Sequence, residues 1–562
     1  MKVVIVGGVA GGAGTASRLR KNDESAEIIL FEKGEYISFA NCGLPYYIGG
    51  VITEKADLQL LTPQSFAARF NVDVRINSEV ISVDVVAKTV TVKNHTDDSE
   101  YVESYDKLVL SPGASPIRPA LEGMEKNHVF TLRNIPDTYA IHDFVTTHHP
   151  RTCAIIGAGF IGLEVAENLT EQGVQVSVIE AMDHVMAPID LDMAHEVHNY
   201  IRAKGIKLHL SQRCKGFTEN SVLLENGDSV VADMVILSIG VAPETKFLRD
   251  SGISLGARGE ILVNEYMETN ITDIYALGDA ASVKNIVTGK QTIIPLASPA
   301  NKQARIVGDN LCGKKSSYSG SQGTSIMKLF DMTVACTGEK EENLKRASVA
   351  YRKSITTSAS HAGYYPGGTT MTVKLLFEPE SGRLLGSQIV GVSGVDKRID
   401  DIANAIRFGM TVYDLQEMEL AYAPPFSSAK DPVNIAGYVG ANILEGQMIP
   451  FYQEEIDNIP NDAICLDVRT EDEYKGGHIP GFINIPLDNL RKRIGELDLN
   501  REIFITCQIG LRGYIAQRIL EQNGAKTKNL VGGYRHYDAF EKDRQAVSDG
   551  LHQYTHCGMQ KD

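Results

Sequence analysis

The chain carries the same strand, turn, helix, strand pattern twice, and that repetition limits the folds open to it more than any other feature. The apolar run Lys2–Val6 leads into Gly7-Gly8-Val9-Ala10-Gly11-Gly12, a helical stretch to about Lys21 and a second strand, Glu27–Glu32. Thr152–Ile156 leads in the same way into Gly157-Ala158-Gly159-Phe160-Ile161-Gly162, with the next strand at Val176–Glu180. Such βαβ units build parallel sheets, and their glycines let backbone amides reach a pyrophosphate at the positive end of a helix. The first turn has Val9 where G-x-G-x-x-G places its second glycine, whereas the second turn matches throughout. Glu32 and Glu180 close the second strand of each unit, where a carboxylate hydrogen-bonds ribose hydroxyls. Two dinucleotide sites follow, one drawing on Gly7, Gly11, Gly12, Glu32 and Lys33, the other on Gly157, Gly159, Gly162 and Glu180. A glycine turn without a ligand is the alternative for either unit taken alone. Glu180 is followed by Ala181 and Met182 with no nearby arginine, which favours the free 2′-hydroxyl of NADH over the phosphate of NADPH.

At 562 residues the chain is too long for one core and divides into roughly three to five domains. No run of about 18 apolar residues occurs and the N-terminus runs directly into a strand, so neither a membrane span nor a signal peptide is expected and a cytoplasmic location follows. The eight scattered cysteines read as reduced thiols. A net charge of −16 argues against nonspecific nucleic-acid binding but leaves room for a local cationic patch. Arg18, Arg20 and Lys21 fall in or just after the first helix and Arg69 lies farther on. This set either grips a phosphate-bearing substrate or forms a solvated helix face.

Cys42 stands alone in Ser38-Phe39-Ala40-Asn41-Cys42-Gly43-Leu44-Pro45-Tyr46-Tyr47. The next nearest cysteine, Cys153, belongs to the strand before the second turn, so an internal disulfide is not expected. A single thiol can become a sulfenate, a persulfide or a mixed disulfide with a sulfur from outside the chain.

Leu108-Val109-Leu110-Ser111-Pro112-Gly113-Ala114 and the segment from Thr269 to Gly278-Asp279 come between and after the two units. This order, a first fold interrupted by a second and then resumed, resembles the flavoprotein disulfide reductases of the pyridine nucleotide-disulfide oxidoreductase superfamily. The resemblance implies an α/β chain with two Rossmann-like domains: an FAD domain at 1–115 and 248–322, using Gly113 and Asp279, and an NAD domain at 116–247. It also implies an α+β dimerisation domain at 323–448 and a homodimer. Asp279 has an alternative reading as a helix N-cap.

Within that superfamily the C-x-x-x-x-C members are excluded, because Tyr46 and Tyr47 stand where a second cysteine is needed. Oxidases and peroxidases with one cysteine place a histidine in the first glycine loop, where this chain has Val9-Ala10. The run around Cys42 resembles coenzyme A-disulfide reductases, over roughly the first 445 residues. By that likeness Cys42 forms a mixed disulfide with coenzyme A, Ser38 and Asn41 orient the pantetheine arm, and Arg18, Lys21, Arg69 and Lys430 are candidates for its phosphates. If Cys42 opens a helix beside the flavin, a lowered thiol pKa is expected. Two tyrosine segments, His361 to Gly368 and Ala421 to Asp431, resemble loops that reach a partner subunit's cysteine. Tyr364 and Tyr422 are then proton donors or thiolate stabilisers, with Tyr365 in reserve. Tyrosines that merely pack a proline-rich turn are the alternative.

A further α/β module is expected at 450–562. Cys507-Gln508-Ile509-Gly510-Leu511-Arg512, with Leu466-Asp467-Val468-Arg469, Gly477-His478-Ile479-Pro480-Gly481 and Gly532-Gly533-Tyr534-Arg535, resembles a rhodanese domain. The likeness implies a persulfide on Cys507 in a cradle of amides, with Arg512 closing it. An inactive module used for contact is the alternative.

The expected activity is FAD-dependent, NADH-driven reduction of coenzyme A persulfide, polysulfide or disulfide, with sulfide as a product, no resident metal and no membrane partner. Its rivals are an NADH oxidase or peroxidase cycling through a Cys42 sulfenate, and a sulfur-sensing interaction protein.

Overall fold

The strand β1 (Lys2–Val6) runs into helix α1 (Ala10–Asn22) and returns as β2 (Glu27–Phe31). In this computed structural model, which describes residues 1–556, β1 lies mid-sheet and four of its five residues are buried. A parallel strand covered on both faces must be apolar continuously, as this one is. The sheet has five parallel strands in the order Ile274–Ala276, Lys107–Leu110, β1, β2, Asp73–Arg75. Its first strand therefore comes from chain that follows the second βαβ unit.

That second unit consists of β3 (Thr152–Ile156), α2 (Phe160–Glu171) and β4 (Gln175–Ile179). It forms a second five-stranded parallel sheet in the order Lys207–His209, β4, β3, Met234–Leu237, Val129–Thr131. The chain divides into two compact units, and both of these sheets belong to the first, Met1–Ala181 with Ile206–Gly323.

The second unit joins Met182–Gly205, including helix α3 (Leu191–Ala203), to the chain from Thr324 onward. It contains an antiparallel five-stranded sheet in the order Ser325–Leu329, Met332–Gly338, Leu384–Gly391, Thr370–Phe377, Arg352–Ala359. Three carboxylates, Asp190, Asp192 and Glu341, converge on the fully buried Lys374, within 2.9 Å of its Nζ. Beyond it lies a five-stranded parallel sheet containing β5 (Ile503–Thr506), followed by α4 (Leu511–Glu521) and α5 (Gly533–His556). The expected end of this module at residue 562 lies outside the described residues.

Helix α5 is pinned to α3 by one carboxylate. Asp543 accepts from Nδ1 of His195 and of His198 at 2.6 and 2.7 Å, and from Arg202 at 2.5 Å. His198 Nε2 accepts the Val185 amide at 3.1 Å, so its proton sits on Nδ1. No helix among the described residues is long and apolar enough to cross a membrane.

Candidate functional site

The two glycine turns each carry the same kind of hydrogen bond. Glu32, one residue past β2, accepts the Gly8 amide at 2.8 Å, and Glu180, one residue past β4, accepts the Ala158 amide at 2.7 Å. Each carboxylate is thereby fixed at the rim of its turn. The glycines divide into two kinds. A Cβ on Gly12 would stand 1.8 Å from Gly7 O, one on Gly11 2.3 Å from Ser111 Oγ, and one on Gly162 2.1 Å from Gly157 O, so these positions let helix and strand approach. A Cβ on Gly159 would meet nothing within 4 Å, so the space above that turn is open. Val9, at the equivalent place in the first turn, has φ −97°, which an L-residue adopts without strain. Open approach, orphan amides at two helix starts and a fixed carboxylate at each rim fit two dinucleotides, FAD and NAD(P)H.

Gly113 has φ +73°, and its Cβ would stand 3.3 Å from Arg133 Nη2. Arg133 Nη2 in turn donates to Asp279 at 3.0 Å. Asp279 lies inside the short turn Gly278–Ala280 and is not its N-cap, so the capping alternative falls away. Lys33 pairs with Glu244 at 2.6 Å. Neither Arg133 nor Glu244 lies in a motif that sequence reading would single out.

Cys42 is exposed, in the tight turn Asn41–Gly43, and the helix behind it, Leu44–Ile48, has only five residues. The segment is tied to the first glycine turn, because the Ser38 amide donates to Gly8 O at 2.9 Å with Ser38 in the left-handed region, φ +48°. The expected lowering of the thiol pKa is corrected by the structure. Protein packed around Cys42 pushes the thiol up, the carboxylates of Glu164 and Asp279 push it further, and Arg133 opposes them. A one-turn helix supplies too little dipole to reverse this. Glu164, on α2, is itself pushed up to about 7 by burial and by Glu167, and burial with Glu164 pushes Tyr46 up to about 12. The seven described cysteines, Cys42 and Cys153 among them, are free thiols, and Cys557 lies outside the described residues.

Of the cationic set, Arg18 holds Asp309 at 2.7 Å through Nε and Nη2 and so serves the contact between α1 and the helix Ala297–Leu311. Arg20 is buried and donates to five backbone carbonyls, including those of Phe70 and Asn71. This fastens the end of α1 to the end of helix Pro63–Phe70, where Lys21 lies 5.7 Å from the Phe70 ring and Arg69 is exposed. Lys21 and Arg69 thus share one corner.

In the second unit the Tyr364 and Tyr422 hydroxyls are hydrogen-bonded at 2.7 Å, and both side chains are exposed, as are Tyr365 and Lys430. Arg398, fully buried, holds both tyrosine loops by donating to Ser360 O, Ser427 Oγ and Asp431. The Ala362 amide closes the same joint on Ser427 O. Arg398 lies in a helix and carries no motif, so sequence reading missed it.

Strand β5 delivers the buried Cys507 into its loop, where the Gly510 amide donates to Sγ at 3.1 Å and Gly510 takes φ +101°. The Tyr534 amide holds Cys507 O at 2.7 Å. Arg512 stands beside this loop, and its two Nη atoms grip both oxygens of Glu473 at 2.7 Å. The Gly510 amide reaches the sulfur, and the arginine beside the loop is paired with a carboxylate.

Residues 1–304 match the pyridine nucleotide-disulphide oxidoreductase family, residues 324–432 the dimerisation domain of that family, and residues 452–539 the rhodanese-like domain. A coenzyme A disulfide reductase of Staphylococcus haemolyticus is 38% identical over 438 residues, which is 78% of this chain and 98% of that protein. Reduced Bacillus anthracis CoADR-RHD superposes with a TM-score of 0.95 at 48% identity, covering 97% of this chain and 98% of that one. A NAD-dependent persulfide reductase from A. fulgidus gives 0.90 at 36% identity, covering 96% of this chain and 100% of that one. The chain belongs to the pyridine nucleotide-disulphide oxidoreductase family, with a rhodanese-like domain joined to its dimerisation domain.

Proposed function

We propose that the chain is an NADH-driven, FAD-dependent reductase in which Cys42 alternates between a thiolate and a mixed disulfide with coenzyme A. Coenzyme A persulfide or polysulfide ranks ahead of coenzyme A disulfide as oxidant. The observation that carries this reading is the isolation of Cys42, an exposed thiol beside the first dinucleotide turn whose disulfide partner has to arrive from outside. FAD, when bound, supplies two-electron chemistry between NADH and a disulfide.

On a persulfide, the Cys42 thiolate attacks the sulfur attached to coenzyme A, hydrosulfide leaves with the S–S bonding pair, and the mixed disulfide remains. Two electrons from NADH then break that disulfide, returning the Cys42 thiolate and, with a proton, free coenzyme A. Tyr364 and Tyr422, supplied by the partner subunit of a homodimer, hold the proton for the departing thiolate. Ser38 and Asn41 flank the pantetheine arm, with Lys21, Arg69 and Lys430 as phosphate contacts, while Arg18 acts by keeping α1 in place. The rhodanese-like domain raises the local concentration of sulfane sulfur by carrying it on Cys507.

Intact-protein mass spectrometry before and after reduction tests the half-site. A coenzyme A-sized adduct that disappears in Cys42→Ser supports it, and a thiol that is only oxidised removes coenzyme A from the mechanism. Equal sulfide release from coenzyme A persulfide by wild type and Cys507→Ser removes Cys507 from the relay.

A further inference from the structure

The loop around Cys507 is poor in available positive charge. Two arginines flank it, and each is paired with a carboxylate, although Arg469 also donates from Nη1 to Gln508 Oε1 at 3.4 Å. Arg469 is buried, donates to Asp467 through Nε and Nη2 at 3.0 and 2.7 Å, donates to Gly477 O at 2.7 Å, and lies over the Tyr534 ring at 3.9 Å. Arg512, close enough for its charge to act on Cys507, is held in the two-point grip of Glu473. Arg535 gives its amide to Gln508 O at 3.0 Å and turns its guanidinium toward Glu196 at 3.8 Å.

Glu473 is well fixed for this task. It accepts the Thr470 amide at 2.9 Å in a capping box, and the Arg512 hydrogen bonds hold its carboxyl down at about 2, so it is ionised throughout the neutral range. The loop's remaining side chains, Gln508, Ile509 and Leu511, are neutral. Leu511 is 63% exposed at the start of α4, and one turn on Ile515 is exposed as well, so apolar surface stands where a sulfur donor's tail would lie.

We propose that Glu473, by holding Arg512, sets this loop to take sulfane sulfur from persulfides of thiols with a neutral arm and to discriminate against thiosulfate. The proposal rests on the sulfurtransferase reading of Cys507 given above. In the favoured step the Cys507 thiolate attacks the outer sulfur of R–S–SH. A Cys507–S bond forms, the S–S bond of the persulfide breaks, its electron pair leaves on R–S⁻, and that thiolate takes up the proton, with no net oxidation. Amides such as that of Gly510, and the start of α4, suffice for the single charge on the resulting persulfide. With thiosulfate the same attack drives a thiolate onto a dianion and expels a second dianion, sulfite. An unpaired guanidinium would offset that charge, and the two beside the loop are each paired with a carboxylate. The pantetheine arm of coenzyme A suits the apolar lip, because its phosphates lie at the far end of the molecule.

The test uses the full chain carrying Cys42→Ser, so that Cys507 is the reporting thiol. The rate of one-sulfur mass gain, located on Cys507 by peptide mapping, is measured with coenzyme A persulfide and with thiosulfate. The persulfide is expected to load at least about tenfold faster. Glu473→Gln, which keeps an acceptor for the Thr470 amide but releases Arg512, shrinks that preference about tenfold, and Glu473→Asp restores it at least in part. A change in the ratio of two donors is not an effect that general loosening of the loop produces. Equal loading from both donors before substitution, or a ratio that Glu473→Gln leaves unchanged, overturns the inference and leaves the sulfurtransferase reading standing. Failure of both donors to load Cys507 sinks that reading and the inference with it.

Discussion

The Tyr364 hydroxyl stands 2.7 Å from the Tyr422 hydroxyl, across 58 positions of sequence, although both rings face solvent. Its hydrogen bond with Tyr422 raises the Tyr364 phenol above its ordinary range, so Tyr364 keeps its proton at neutral pH. Two phenols joined by a hydrogen bond act as one donor. Tyr364→Phe and Tyr422→Phe are each expected to lower kcat with a coenzyme A-linked substrate about a hundredfold, and the double variant to cost little more than the worse single one. Steady-state kinetics of the three variants checks this, and strictly additive losses contradict a shared donor.

The Cys42 thiol is pushed up by its surroundings and by Glu164, which itself titrates near about 7. Iodoacetamide labelling of reduced Cys42 is therefore expected to rise with pH to a midpoint above that of an ordinary cysteine. Glu164→Gln removes a like charge from beside the thiolate and speeds labelling about two- to fivefold at pH values where Glu164 is ionised. Below that range the carboxyl is already neutral and the two proteins converge. Peptide mass spectrometry across a pH series reads the result, and slower labelling in Glu164→Gln reverses the assigned sign.

What the sequence disclosed was local. The turns at Gly7 and Gly157 could be read because strand, glycine spacing and terminal carboxylate lie within one βαβ unit, and the Cys507 loop because its amides come from consecutive residues. Arg133 and Glu164 belong to no motif and reach Asp279 and Cys42 only through the packing of the first unit. Glu473 could be seen as the last residue of a helix-capping box, Thr470-Glu471-Asp472-Glu473, and that local role hid its second one on Arg512. The sulfur of Cys42 was legible as solitary, but its pKa was not, since the sign depends on how long the following helix is and which carboxylates face it.

His536, fully buried on α5, has no hydrogen-bond partner for either ring nitrogen among the described residues, and burial holds its pKa down to about 4. A histidine depressed in the folded state stabilises the fold above its unfolded pKa, and the contribution is lost as pH falls toward the folded value. The window here runs from about 6.5, the ordinary histidine value, to about 4. Asp543 is also depressed, because burial pushes it up but its bonds to His195, His198 and Arg202 pull it down further, so its contribution is lost only below the ordinary carboxylate range. Hydrogen exchange of α5, corrected for intrinsic rates, should lose protection on acidification through that window, by at most about 1.4 kcal/mol per pH unit for one group. His536→Phe, which has nothing to protonate, flattens the slope, and an unchanged slope assigns the effect elsewhere.

Gly157 and Gly159 separate what the second turn needs to fold from what it needs to bind. At Gly157, φ is +99° and a Cβ would stand 2.6 Å from Ser238 O, so Gly157→Ala meets both backbone strain and a clash. It is expected to cost about 1–3 kcal/mol of stability. At Gly159, φ is −80° and a Cβ meets nothing within 4 Å, so Gly159→Ala should leave stability within about 0.5 kcal/mol of wild type. The same methyl group projects into the space through which a pyrophosphate reaches the start of α2, and it should raise KM for NADH about tenfold. Thermal unfolding and NADH titration of the two variants distinguish the roles. Wild-type NADH affinity in Gly159→Ala shows that the pyrophosphate does not pass over this glycine, and with it falls the assignment of the open side of the second turn to the nicotinamide dinucleotide.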